Sequence, residues 1–334
     1  MNNNLFRYAT SELSQDAFIC WLLSYAIKDC IKDKTLSDCA KDFLHLIIPE
    51  LEKENIYLSE PPCRQYKSID VLITVNDKYK IIIEDNTYTS DHDNQLLRYK
   101  ETVTRDFPEH RVICIYYKTG FQSDLSNVRN AGYIIFDRKK ILTVLSKYVD
   151  KSSNDIFKAY YEYINDLEQR VQKFRTLPIK EWSWEQINGF YEYCQQNPID
   201  SDLKFDYGYV PNKTGGFDGM WIWKPIYLDI DGFICEVYLQ CEFENGTFRI
   251  CYRASAKEGK VQSEQREALI WKKHNNQWIN VAEKHNFKKP QRYGVGSSVA
   301  LGVYNTEVAT YKEAIFAIKN AISNFYAIVE EINK

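Results

Sequence analysis

The sequence predicts an α/β fold over about its first 150 residues and an α+β fold over the remainder. Three observations carry this. Two β-type runs, "IDVLITV" and "YKIIIEDN", meet across a short polar turn and are followed by a helical stretch, a strand, and then a further strand and helix to 149. That alternation builds a sheet covered by helices. Beyond 150 a strand meander precedes two helices, and six of the seven tryptophans fall after Pro178. At 334 residues, 44% hydrophobic and 27% charged, the chain is long and apolar enough to bury a sizeable core.

The remaining composition narrows the partners. A net charge of −3 argues against a surface coated for nucleic acid and leaves room for a local basic track. No apolar run approaches the roughly 18 residues that span a membrane, and "MNNNLFRYATSEL" lacks the basic-then-apolar order of a signal peptide. Nine cysteines without a C-x-x-C pair point to reduced thiols and a cytoplasmic setting. Cys235 and Cys241 share a strand face, as a packed pair or as a redox pair. There is no P-loop, no G-x-G-x-x-G and no G-x-S-x-G, so a nucleotide cofactor is not expected.

The first element is a helix over "TSELSQDAFICWLLSYAIKD", with Thr10 or Ser11 as its cap. Phe18, Trp21, Leu22 and Tyr25 form its apolar side, and Glu12 and Asp16 share a face in its first turns, with Asp16 expected as a solvated residue. In the hairpin, "NDK" at 76–78 serves as a three-residue turn, so partners across it sum to 154. Leu72 then faces Ile82, and Asp70 faces Glu84. Opposed antiparallel residues have Cβ atoms about 5 Å apart, where like charges destabilise the sheet. Two carboxylates so placed share a proton or share a cation, and an all-oxygen setting suits a hard ion such as Mg²⁺ or Mn²⁺. A one-residue slip of the turn would instead release both to solvent.

Ser90 and Asp91 make a helix start for "NQLLRYKETVTRDF", on which Gln95 and Tyr99 are four apart and stack on one side. Strands follow at 110–118 and 132–137. A long helix at 154–174 carries Ile156, Tyr160, Tyr163, Leu167, Val171 and Phe174 on a heptad-like seam, which packs between domains or against a second copy of the chain. Pro178 closes it. The boundaries expected are 1–150, a helical connector 151–178, and an α+β domain 179–334. In the last, strands are expected near 217–223, 226–230, 233–243 and 247–254, and helices at 262–285 and 310–331. Lys272, Lys273, Lys284, Lys288, Lys289 and Arg292, against one acid and with Trp278 and two histidines interleaved, form a candidate nucleic-acid track.

With an acidic first helix, an Asp70 strand, an "IIIE" strand ending at Glu84 and a following "NQLLRY" helix, the first 150 residues resemble the PD-(D/E)XK nuclease superfamily. The likeness is to a bacterial branch written roughly I-D-I-x-I, I-I-I-E-N-K, N-Q-L-x-x-Y. It implies a restriction-endonuclease-like core, a mixed sheet flanked by helices, with the α+β C-terminal domain appended. It implies a metal-dependent DNA nuclease, in defence or DNA processing. Asp70 and Glu84 would bind the ion with a backbone carbonyl at Asp85, Glu12 would hold a metal-bound water, and Gln95 and Tyr99 would border the site. The branch has lysine two residues after the glutamate, where this chain has Asn86. Arg98 and Lys100 are the expected substitutes, since Lys80 lies roughly 13 Å away along its strand. The alternative is a catalytically inactive nuclease fold that binds DNA or a protein.

Overall fold

The computed structural model describes residues 3–9, 12–28, 33–87, 94–212, 215–230, 233–244, 246–256, 273–290 and 298–333. By internal contacts the chain divides into two units, 1–169 and 170–334.

The first unit is built on a five-stranded sheet in the order β1 (Cys63–Tyr66), β2 (Ile69–Val75), β3 (Tyr79–Asn86), β4 (Arg111–Lys118), β5 (Tyr133–Asp137). The first three strands are antiparallel and the last three parallel, so the sheet is mixed, as the resemblance implied. Every residue of β3 is buried. That explains the unbroken apolar run "IIIE": a strand covered on both faces cannot show alternation.

The covers are two sets of helices. On one face Val71, Ile73, Ile81, Ile83, Ile115 and Tyr117 pack with residues of α1 (Glu12–Leu23), α2 (Lys34–Ile47), α5 (Arg138–Leu145) and α6 (Asp155–Gln172). On the other, Leu72, Ile82, Cys114 and Tyr116 pack with α3 (Gln95–Asp106) and α4 (Ser126–Asn130). The described part of the first helix begins at Glu12, and its expected caps Thr10 and Ser11 lie outside the described residues. So do Ser90 and Asp91; the described helix starts at Gln95, after Asn94 in the left-handed region at φ 56°.

Helix α6 shifts the expected seam. Phe157, Tyr160 and Ile164 are its fully buried positions in the first unit, whereas Ile156 is 47% exposed. The face is set by where the helix meets α1: Tyr160 stacks on Phe18 with ring centroids 3.6 Å apart. Phe157 rather than Ile156 shares that stripe at helical spacing. Phe157, Tyr160 and Ile164 are thus packed within the chain.

The second unit is an antiparallel sheet in the order β11 (Phe287–Lys288), β12 (Ser298–Tyr304), β10 (Thr247–Ala256), β9 (Phe233–Glu244), β7 (Gly215–Trp223), β6 (Lys204–Asn212), with β8 (Tyr227–Ile230) also paired to β9. Its helices among the described residues are α7 (Trp184–Gln196), α8 (Lys273–Lys284) and α9 (Tyr311–Ile332), the last opened by a capping box of Thr310 and Glu313. The strand meander is where the sequence puts it. Strands β6 and β12 and helix α7 are additions, and 262–272 of the expected helix lies outside the described residues. Cys235 and Cys241 are both fully buried. Among the described residues no helix is long and apolar enough to cross a membrane.

Candidate active site

The hairpin turn is Asn76-Asp77-Lys78, with Asn76 and Asp77 at φ 52° and 54°, a conformation short polar side chains tolerate. It sets Val75 opposite Tyr79, Leu72 opposite Ile82 and Val71 opposite Ile83. One step further, where Asp70 meets Glu84, the ladder gives way to side chains. The backbone N–H of Asp85 donates to Asp70 Oδ2 at 3.0 Å, and the backbone N–H of Asp70 donates to the Glu84 carboxylate. The Glu84 carboxyl lies on the α3 face, with the Asp70 carboxyl as its strongest charged neighbour.

Glu84 is 4% exposed. Its Oε1 accepts from Gln95 Nε2 at 2.8 Å, and the same amide lies 3.0 Å from the Tyr99 hydroxyl, so the pair four apart on α3 acts on Glu84 together. Among the described residues, Glu84 Oε2 has no hydrogen-bond partner. Burial, then the charge of Asp70, pushes the Glu84 carboxyl up to about 9. Burial also raises Asp70, opposed by the Asp85 N–H and by Gln65, whose Nε2 donates at 3.2 Å.

From the opposite face, α1 supplies Glu12, Gln15 and Asp16. Glu12 Oε1 accepts the N–H of Thr87 at 2.9 Å, which stitches the helix to the end of β3. Gln15 donates to the Thr87 hydroxyl and lies 3.4 Å from Asp85 Oδ1. Asp16 is 1% exposed, contrary to its expected solvation, because it sits with Gln15 and Ile19 on the buried side of α1. Burial and the neighbouring Asp70 lift it to about 7, while Arg64, its Nη2 at 3.8 Å, pulls the other way. Sequence spacing had placed Asp16 beside Glu12; its burial was the part missed, and Gln15 was missed altogether.

Asp85 is divided between two roles. Its side chain lies on the α1 side, 2% exposed, with Oδ2 unpartnered among the described residues and its carboxyl held well above the usual range by burial and Asp16. Its N–H points at Asp70, and in an extended strand the carbonyl of a residue leaves on the same edge as its N–H. The Asp85 carbonyl thus opens on the edge that carries Asp70, and its side chain does not.

A hard divalent cation fits this donor set. On the α3 side Glu84 Oε2 lacks a partner among the described residues with Asp70 as its charged neighbour, and on the α1 side Asp16 Oδ1 and Asp85 Oδ2 lack partners as well; a buried charge without a partner is costly. Among the described residues no group of three or more His, Cys, Asp or Glu side chains is placed to hold a metal ion by itself. An ion such as Mg²⁺ does not need one, since it binds through one or two carboxylates and keeps several waters.

Of the expected substitute cations, only Arg98 acts on a residue of the site, through its charge on Tyr99. Lys100 Nζ donates to the carbonyl of Ala131 at 3.2 Å, and Arg98 is exposed on α3. Lys80 is held by Glu60 at 2.9 Å, as its distance along the strand predicted. On the candidate nucleic-acid track, Lys272 and Arg292 lie outside the described residues and Lys273 opens α8. Lys284 pairs with Glu331 at 2.6 Å, while Lys288 and Lys289 are exposed. Trp278 is 3% exposed, so its ring belongs to the core of the second unit and offers no stacking surface.

A family model described as the PD-(D/E)XK nuclease superfamily matches residues 3–177, more than half of the chain. No curated protein and no solved structure matches the chain significantly.

Proposed function

Since the chain belongs to the PD-(D/E)XK nuclease superfamily, we propose that the site hydrolyses phosphodiester bonds of DNA, with Mg²⁺ or Mn²⁺ held by Asp70, Glu84 and the Asp85 carbonyl. Nucleases of this superfamily generally use divalent metals. The observation that carries the reading is Glu84: buried, raised to about 9, with one oxygen unpartnered beside Asp70. When bound, such an ion supplies Lewis-acid relief of the charge that gathers on the phosphate and makes water a better nucleophile. Gln95 fixes Glu84 through Oε1 and leaves Oε2 for the ion; Tyr99 fixes Gln95. Glu12 orders the turn after β3 through Thr87 and brings its second oxygen to the same end of the sheet, where it would hold a water. Asp16, next to Asp70, adds negative charge that favours cation uptake.

On this reading residues 1–150 carry the chemistry, 151–178 connect, and 179–334 bear substrate-binding or regulatory surface that includes Lys288 and Lys289. The free cysteine thiols support a cytoplasmic role in defence or DNA processing. The competing reading, a silent nuclease fold that binds DNA or a protein, rests on Asn86. A plasmid-nicking assay with Mg²⁺ or Mn²⁺ separates the two. The proposal expects cleavage that chelation stops and that Asp70→Ala and Glu84→Ala abolish; cleavage indifferent to both substitutions, or none at all, favours the binding module.

A further inference from the structure

Edge strand β1 holds one residue in a conformation that its turn does not require. The two-residue turn to β2 is Lys67-Ser68, at φ 49° and 72°, as a tight turn of this kind demands. Gln65 lies outside that turn and also stands in the left-handed region, at φ 56°. The region suits glycine, asparagine and aspartate rather than glutamine, and residues held this way gather at functional sites. The strand pair shows the consequence. Arg64 is opposite Val71 and Tyr66 is opposite Ile69, but Gln65 and Asp70 between them do not join the ladder. Ile69 and Leu72, three apart, both pack on the α3 side together with Tyr66, where regular alternation would send them to opposite faces.

Instead of a ladder pair, Gln65 and Asp70 make a side-chain contact: Gln65 Nε2 donates to Asp70 Oδ1 at 3.2 Å. The other oxygen, Oδ2, accepts from the N–H of Asp85 at 3.0 Å. One donor on each oxygen fixes the plane of the carboxylate, and each oxygen keeps a lone pair for an ion. The amide is itself held, because β1 is tied down on both sides of it. Arg64 Nη2 reaches the Leu13 carbonyl at 3.4 Å and Asp16 at 3.8 Å, both on α1. The Tyr66 hydroxyl donates to Asp106 of α3 at 2.9 Å.

We propose that Gln65 is a positioning residue for Asp70, holding its carboxylate in the orientation in which the divalent ion binds. The inference rests on the nuclease reading above. It gives each of the two acids an amide of its own, Gln95 for Glu84 and Gln65 for Asp70. Hydrogen-bond partners of a ligating carboxylate are typically worth about 10–100-fold in metal affinity or activity.

The test is calorimetric titration of Mn²⁺ into wild type, Gln65→Met, Gln65→Gly and Gln65→Asn, with metal-free melting and plasmid cleavage measured on the same preparations. Gln65→Met keeps the length without the donor, and Gln65→Gly removes the side chain while suiting the left-handed backbone. Both are expected to bind Mn²⁺ about 10–100-fold more weakly, and Gln65→Asn, which retains an amide, to fall between them and wild type. Cleavage at subsaturating Mn²⁺ should drop by a similar factor and recover in part as Mn²⁺ is raised, a response that a residue serving only the fold would not give. Folded Gln65→Met and Gln65→Gly proteins that bind Mn²⁺ with the wild-type Kd, whatever their melting temperatures, overturn the inference and leave the nuclease reading standing. Wild-type protein without Glu84-dependent Mn²⁺ binding and cleavage overturns both. Should Gln65→Met not fold, Gln65→Gly decides alone on the same criterion.

Discussion

Strand β3 buries a charged residue at each end of one face, and the two are treated in opposite ways. Lys80, 6% exposed, donates to Glu60 at 2.9 Å and to the Thr74 hydroxyl at 2.5 Å, and sits 4.1 Å over the ring of Phe107. Glu84, four residues on and 4% exposed, has the Gln95 amide and the Asp70 N–H but no cation for partners, an unpartnered oxygen among the described residues, and a second carboxyl beside it. The second unit repeats the first pattern: Glu242, 8% exposed, accepts from Gln240 and faces Arg253 and Arg249 at 3.3 and 3.5 Å. Buried charge that serves only the fold is neutralised by its neighbours. At the open end of the hairpin it is not, and the protein is left requiring a proton or a cation there.

The sharpest way to break this contrast is by substitution at the two ends. Glu84→Ala should cut metal-dependent cleavage by at least about 10²–10³-fold, while Lys80→Met should leave the rate within threefold and instead cost about 1 kcal/mol of stability through its lost partners. Cleavage kinetics and denaturant melts on the same preparations read both. Equal rate losses at the two ends would dissolve the distinction.

Divalent metal should act on one end only. A ligand that binds only the folded chain stabilises it by RT ln(1 + [L]/Kd), about 2.7 kcal/mol at a hundredfold excess over Kd. Mg²⁺ or Mn²⁺ should therefore raise the wild-type melting temperature, whereas Asp70→Asn should start from a higher metal-free value and show no rise. Identical metal responses would remove Asp70 from the site.

The pH dependence follows from the same asymmetry. A glutamate normally ionises near 4.5, but here Glu84 holds its proton to about 9 and Asp16 to about 7. Between the unfolded and folded values the folded chain binds more protons than the unfolded one, so metal-free stability should fall as pH rises from about 5 to about 9. Glu84→Gln should flatten that decline, and thermal melts across the range measure it. The smallest effect is expected from Gln95→Ala. It frees Glu84 Oε1 without removing a charge and should slow cleavage by about tenfold, the share of one neutral hydrogen bond, with metal binding retained.

How much of this was legible in the sequence follows from how local each feature is. The register of β2 on β3 was readable because a three-residue turn and strand alternation fix it within eighteen residues. Gln95 and Tyr99 were readable because helical spacing alone makes them neighbours. The burial of Asp16 depends on how α1 docks on the sheet, and no local pattern carries that. Strand β1 escaped notice since three of its four residues are exposed and polar, as suits an edge. Gln65 was hidden for a third reason: its left-handed conformation, φ 56°, breaks the alternation by which a strand is read, so its contact with Asp70 appears only in the fold. Trp278 misled because an aromatic among lysines reads the same whether it faces DNA or the core.

On the proposed reading, the paired acids at the end of β3 exchange protons for a divalent ion. Calorimetric titration of Mn²⁺ into the protein at pH 7, repeated in buffers of different ionisation enthalpy, counts the protons released on binding. With Glu84 raised to about 9, binding should release about one proton per ion at pH 7, set by that shift, and both the binding and the release should disappear in Glu84→Gln. Mn²⁺ binding that releases no proton, or that persists unchanged in Glu84→Gln, would contradict the account.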